Sequence, residues 1–201
     1  EETLHKLYQI STRDYLPDED RLLPDHFYRH DVVYVVDGEE SREGFPAQQL
    51  PDAMKRLVDF ANAKDGINEL HKAAILHFAF AYYHPYFDGN GRTARLLHLW
   101  YLVQQGYPAA LFTPFSRYIA ESKAAYYKAY DRAEKNALIS GYTDVTPFLS
   151  YFCNEVYNRL QVDAAPPQAD LQVYQTALAE GKITEKERLL WEYVLSAYGT
   201  E

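Results

Sequence analysis

The chain has one cysteine in 201 residues, Cys153, which rules out an internal disulfide. It sits in an apolar run with no polar motif around it, which predicts a buried, inert thiol rather than a nucleophile. No apolar stretch approaches the roughly 18 residues of a membrane span, so no membrane helix is expected. No basic run stands out, and the net charge of −9, with a pI near 5.3, argues against a general nucleic-acid binder. The acidity reads as solubility. A secretory pattern is missing at the start, and the first residue is Glu1 rather than methionine. These features point to the cytoplasm and to a chain that is a trimmed fragment. There is no internal repeat and no low-complexity tract. What is abundant is apolar and aromatic: 47% hydrophobic residues, enough for one sizeable core or a core with a small appendage. The 19 tyrosines suggest walls with buried rings and hydroxyls that reach partners.

Residues Leu16 to His30, rich in proline and charge, read as irregular. The β-branched and aromatic run from Asp31 to Val36, the Asp37-Gly38 turn signal and a return over Arg42 to Phe45 predict a β-hairpin. A lone hairpin is marginal and must lie on helices. Pro51 suits the first turn of a helix to about Ala63, with Met54, Leu57, Val58 and Ala61 on one face. A helix from about Asn68 to Tyr83 is apolar nearly all round and is the expected central element, stopped by Pro85. A third runs from about Asn90 to Gln105, capped by Gly106. Further helices are expected over 117–135 and 146–161. Residues 163–170, within "QVDAAPPQAD", read as a linker between a domain over 1–162 and a helical segment over 171–201. In that segment a helix is expected to end at Gly181, and Thr184 with Glu187 forms a capping box for a last helix through Ala197. The fold class is mainly α with one hairpin.

The densest chemistry lies in "HPYFDGNGRTAR", His84 to Arg95. Glycines at 89 and 91 let backbone N–H groups approach a ligand, and a helix N-terminus follows directly. That combination suits an anion, phosphate above all. Arg92 and Arg95 are spaced i, i+3 and can face one side of the helix, where a polyphosphate explains two guanidinium groups. Histidine at position 84, on the rim, has the pKa of a base at neutral pH. Asp88 suits a contact to Mg²⁺, which takes few protein ligands, and Asn90 can donate to a phosphate oxygen.

Each residue has a plainer reading. His84 could cap a helix end, Asp88-Gly89 could be a turn, and the arginines could form a solvated face. Together those readings require several coincidences within twelve residues. An EF-hand fails, because Leu99 stands where its terminal glutamate is needed. A Walker loop lacks its Gly-Lys-Ser/Thr. A zinc site from His71, His77, His84 and His98 has no i, i+4 pair and no cysteine pair.

The stretch from His84 to Arg95 resembles the Fic family motif, His-Pro-Phe-x-Asp/Glu-Gly-Asn-Gly/Lys-Arg, often followed by Thr-x-Arg. The departure is Tyr86, where phenylalanine is usual and where a buried hydroxyl needs a partner. The resemblance extends from about His5 to Leu160. It implies the Fic fold, a helical bundle with one β-hairpin flap, and transfer of AMP from ATP to a Ser, Thr or Tyr hydroxyl of a target protein, with reverse removal of AMP also within its range. In that scheme His84 is the base, Asp88 holds Mg²⁺, Gly89, Asn90 and Gly91 cradle phosphates, and Arg92 and Arg95 hold the β- and γ-phosphates. Gly91 sides with AMP transfer, since lysine there marks the Doc-like kinase branch. Tyr127 resembles the residue that lines the adenine pocket; helix packing in "AAYYKAY" explains it equally well. Val33, Tyr34 and Val35 resemble the flap strand that pairs main chain to main chain with the target. The plainer reading is an edge hairpin protected by Asp37, Glu39, Glu40 and Glu43.

"TALAEG", Thr176 to Gly181, matches the family's inhibitory pattern and makes Glu180 a candidate inhibitory residue. The alternative is an inhibitory helix ahead of Glu1. The segment after the linker resembles the start of an appended winged-helix module, the one part through which DNA contact is expected. The resemblance is also compatible with a homodimer. Two other functions stay open: transfer of another phosphate-containing group (UMP, phosphate or phosphocholine), and a non-catalytic nucleotide-binding module.

Overall fold

The protein is described from a computed structural model, which covers residues 2–12, 16–37, 40–161, 176–182 and 184. The elements in chain order are α1 (Glu2–Thr12), β1 (Tyr34–Asp37), β2 (Glu40–Glu43), α2 (Leu50–Asn62), α3 (Glu69–Tyr83), α4 (Asn90–Gln104), α5 (Phe115–Glu121), α6 (Lys123–Ser140) and α7 (Thr146–Tyr151). A π-helical stretch (Phe152–Val156) and a 3₁₀ turn (Tyr157–Gln161) continue α7. The fold is mainly helical, as expected.

α3 is the central rod. Asn68 starts it, its side-chain oxygen accepting from the Leu70 amide at 3.0 Å. Ala73, Ala74, Leu76, Phe78 and Phe80 are all buried on it. α4 makes the most extensive contact with α3, while α2 and α7 pack on α3 and α1 packs on α4. Pro51 lies in the first turn of α2, and Leu50, Ala53, Met54 and Leu57 are its buried face. Gly106, at φ +90°, follows the end of α4, with its amide bonded to Val103 O and the Tyr107 amide to Leu102 O.

Several tyrosines pack as their abundance suggests. Tyr126 sets its hydroxyl 3.0 Å from His77 Nε2, and the Tyr157 hydroxyl donates to Leu70 O at 2.8 Å. The buried Lys72 is likewise satisfied, donating to Ala63 O at 2.6 Å and pairing with Asp65 at 3.0 Å. No helix among the described residues is long and apolar enough to cross a membrane.

Four details differ from the sequence expectation. α1 was not foreseen, because its pattern is weak: only Leu4, Tyr8 and Thr12 are buried, on an otherwise polar helix. The helix expected over 117–135 is two helices, α5 and α6, reaching Ser140. They break at Ser122, whose hydroxyl bonds Tyr118 O at 2.7 Å and lies 2.7 Å from the Tyr151 hydroxyl. The paired strands are shorter than 31–45, with Tyr34 opposite Glu43 and Asp37 opposite Glu40. Cys153 is half-buried rather than buried, with Sγ 3.8 Å from His71 Nε2. At the far end, residues 176–179 are helical and stop at Gly181, φ +69°. The linker over 163–170, the earlier part of the helix before Gly181, and the last helix with its winged-helix resemblance lie outside the described residues.

Candidate active site

Pro85 disfavours helical angles in the residue before it, and α3 ends there. His84 leaves the helix in the left-handed region, φ +50° and ψ 59°, with its amide still bonded to Phe80 O at 3.1 Å. That conformation costs a non-glycine residue about 1–2 kcal/mol and turns the chain into the loop. The imidazole is half-buried, and in its neutral form it carries a lone pair on one ring nitrogen. Burial is the largest influence on its pKa and lowers it; the nearby Arg29 charge lowers it further, against opposing effects of the Ala81 carbonyl and Asp88. The group is therefore neutral at pH 7 and able to accept a proton.

The loop is braced by Asn90. Its side-chain oxygen accepts from the Tyr86 amide at 2.9 Å and its nitrogen donates to Tyr86 O at 2.8 Å. The Asn90 side chain is thus buried and engaged with the loop backbone. Gly89 stands at φ +80°, and a Cβ there would lie 2.5 Å from Thr12 Cγ2 on α1. Only glycine fits both constraints. A Cβ at Gly91 would meet only Arg95 Nη1, at 3.5 Å. The first turn of α4 thus presents amides that lack intrahelical carbonyl partners, at the positive end of a 15-residue helix.

Arg92 pairs with Asp88 at 3.2 Å, both partly exposed. Arg95 is half-buried, and no carboxylate among the described residues pairs with it. Its charge adds to the burial that lowers the pKa of His77 and opposes the larger effect of burial that raises the pKa of Tyr126. His84, Asp88, Gly89, Asn90, Gly91, Arg92 and Arg95 thus all lie on the exit of α3, the loop after it and the first turns of α4.

Tyr127 comes from α6, 56% exposed, with Lys123 Nζ 5.8 Å from its ring centre. On the hairpin, Tyr34 is exposed and Val33 half-buried; Val35 stands opposite Arg42 in the register. Glu180 is exposed and pairs with Lys182 at 2.7 Å. Tyr86 is fully buried and stacks on Tyr8 at 3.6 Å, but its hydroxyl finds no hydrogen-bond partner among the described residues.

Sequence reasoning assigned no role to Arg29, which is buried and bonds both the hairpin root and the His84 backbone. It also missed Tyr8 and Thr12 of α1, which lie beneath Gly89. Each acts across a long stretch of sequence on a backbone or glycine position, so local spacing carries no signal for it.

The chain spans about a quarter of the length of the curated relatives it matches first. One is a protein adenylyltransferase fic-1 of Caenorhabditis elegans, 31% identical over 50% of this chain and 25% of its own length. Another is a protein adenylyltransferase Fic of Nematostella vectensis, 30% identical over 62% of this chain and 26% of its own length. Among solved structures, a Fic family protein from Desulfovibrio desulfuricans G20 superposes with a TM-score of 0.63 at 22% identity, covering 98% of this chain and 56% of that one. A Fic domain containing signaling protein from Bacteroides thetaiotaomicron gives 0.52 at 23% identity, over 76% and 65% of the two chains. The two superpositions bear on the fold alone. Residues 1–102, from α1 through most of α4 and including the whole His84–Arg95 loop, match the Fic/DOC family, and the chain belongs to it.

Proposed function

We propose that the chain is a protein adenylyltransferase, transferring AMP from ATP to a hydroxyl of a target protein. The observation that carries this reading is the pairing of a neutral, accessible imidazole with an open helix N-terminus. The His84 ring is half-buried with a lowered pKa, and it begins the loop that leads to those amides and to Arg95, an arginine without a carboxylate partner among the described residues. The relatives' names support the same activity.

In this reading the phosphates of ATP lie against the amides of Gly89, Asn90 and Gly91, and Arg92 and Arg95 bind the β- and γ-phosphates. Tyr127 lines the adenine. Val33, Tyr34 and Val35 pair with the target's backbone, which brings its hydroxyl to His84. His84 takes the hydroxyl proton on its free nitrogen as the oxygen bonds the α-phosphorus. The bond from that phosphorus to the bridging oxygen breaks, and pyrophosphate leaves with the electron pair. The chain's contribution is position and charge neutralisation, the main requirements of phosphoryl-type transfer.

Mg²⁺ fits the residues present. Asp88 offers one half-exposed carboxylate beside the cradle, and Mg²⁺ is typically held by one or two carboxylates plus substrate phosphates. When bound it would neutralise phosphate charge. Asp88 must then exchange its Arg92 partner for the metal. Glu180 is retained as an inhibitory candidate; to engage Arg95 it must leave Lys182.

The test is label transfer from ATP and from UTP, each with Mg²⁺, to lysate proteins by wild type and His84→Ala. The expected result is transfer from ATP that drops by at least ~10²-fold in the variant. Label from UTP but not ATP, or unchanged labelling by His84→Ala, overturns the reading.

A further inference from the structure

Arg29 is the only buried arginine among the described residues, 2% exposed, and no carboxylate among them pairs with its guanidinium. Backbone carbonyls surround it instead. Nε donates to His84 O at 2.7 Å and Nη1 to Asp31 O at 2.7 Å. Nη2 donates to Phe45 O and, at 3.5 Å, to Tyr83 O. The Arg29 amide donates to Pro85 O at 2.8 Å. Asp31 and Phe45 are the two roots of the β1–β2 hairpin, while Tyr83, His84 and Pro85 are the exit of α3. One side chain thus joins the hairpin's base to the backbone of the catalytic candidate.

The chemistry of the bond set is selective. A guanidinium offers five N–H donors in a rigid planar fork, which can satisfy carbonyls on two sides at once; an ammonium offers a single point charge. Backbone carbonyls carry no side-chain identity, so what the fork sets is posture. His84 sits in a left-handed conformation that persists only when its surroundings over-determine it. The bond from Nε to its carbonyl is one of those constraints. Phe45 adds apolar contact at the same joint, its ring 4.8 Å from that of Tyr83.

We propose that Arg29 is a positioning residue that fixes the hairpin at one height above His84, so that a target segment docked on the hairpin presents its hydroxyl to the imidazole. This rests on the adenylyltransferase reading above. A base must come within hydrogen-bond reach of the proton it removes, and a displacement of about 1 Å is enough to cost ~10²-fold in rate. The Gly89–Gly91 cradle makes no hydrogen bond to Arg29 among the described residues, so nucleotide binding and target use separate.

The experiment compares wild type with Arg29→Lys, using ATP binding by calorimetry and steady-state transfer to the lysate protein that wild type labels most strongly, purified and titrated. The expected result for Arg29→Lys is a fall of about 10- to 10²-fold in kcat/KM for the protein target, with a raised target KM, and ATP affinity within about twofold of wild type. Gly44→Ala is the second variant. It leaves Arg29 in place but drives a methyl to 2.9 Å from Val33 Cγ2, displacing the hairpin root from its other side. It is expected to show the same split, and it decides the matter if Arg29→Lys fails to fold. Unchanged target KM and kcat in the folded variants, or an ATP affinity that falls in step with transfer, overturns the positioning role. A wild type that transfers nothing sinks the underlying adenylyltransferase reading instead.

Discussion

His77 lies inside α3 and His84 just past its last residue, two turns further on, and their surroundings diverge. His77 is enclosed by aromatic rings, with Phe152 at 5.2 Å, Phe148 at 5.8 Å and His98 at 5.8 Å, and its Nε2 is occupied by the Tyr126 hydroxyl. Burial, then the charges of His98 and Arg95, hold its pKa well below the usual histidine range. His84 is half-buried, and burial and then the Arg29 charge lower its pKa against the opposing effects of the Ala81 backbone and Asp88. Residue type alone therefore does not single out the proposed base; access does.

The sharpest way to break the comparison is to remove each ring in turn. His84→Ala is expected to lose at least ~10²-fold in transfer while its unfolding midpoint stays near wild type. His77→Ala is expected to lose about 2–4 kcal/mol of stability through a cavity and an orphaned Tyr126 hydroxyl. Its ATP affinity should be nearly unchanged, as calorimetry and denaturant titration would show. If His77→Ala removed transfer without destabilising the protein, the division of roles would be wrong.

Gly89→Ala carries the next effect. Its φ of +80° and the approach of Thr12 Cγ2 at 2.5 Å strain any side chain there. A loss of about 1–3 kcal/mol is expected, together with weakened ATP binding, because the loop amides shift. Retained ATP affinity in this variant would detach the cradle from the α1 support.

Acid sharpens the contrast between the two kinds of histidine. The unfolded chain protonates histidine near 6.5, whereas burial holds folded His98 down to about 3 and His77 well below 6.5. The unfolded state therefore binds more protons between these values. Stability is complete above pH 6.5 and declines as pH falls toward about 3, by up to ~1.4 kcal/mol per pH unit for each core histidine. The acid limb of kcat/KM should also lie below pH 6.5, since the His84 pKa is lowered. A limb above 6.5 would contradict the described surroundings of that ring.

The smallest expected effect is a gain. Tyr86 buries a hydroxyl without a partner among the described residues, and burial, with smaller effects from Tyr28 and Tyr8, pushes its pKa far up. Tyr86→Phe is expected to stabilise the protein by about 1 kcal/mol in a denaturant titration, with transfer unchanged. A destabilised variant would reveal a partner for that hydroxyl.

Much of the fold was legible in the chain. Proline at 51 and 85, the all-round apolar run of α3, and Gly106 and Gly181 mark helix ends and the buried core because their conformational restrictions are local. The His84–Arg95 loop was legible for the same reason: its residues are contiguous, and a helix begins within it. α1 was not, since its burial comes from neighbours rather than from a strong amphipathic pattern. At the break, Ser122 meets the Tyr151 hydroxyl, 29 residues away in sequence.

The sequence by itself determined which groups stand together at the loop and what chemistry they suit, because twelve adjacent residues carry it. Tertiary structure alone decided how those groups are held. It turned the Asn90 side chain inward, set Thr12 beneath Gly89, and ran the guanidinium of Arg29 across 55 residues to the carbonyl of His84. Such contacts reach backbone atoms that every residue shares, and so they leave no local pattern in the chain.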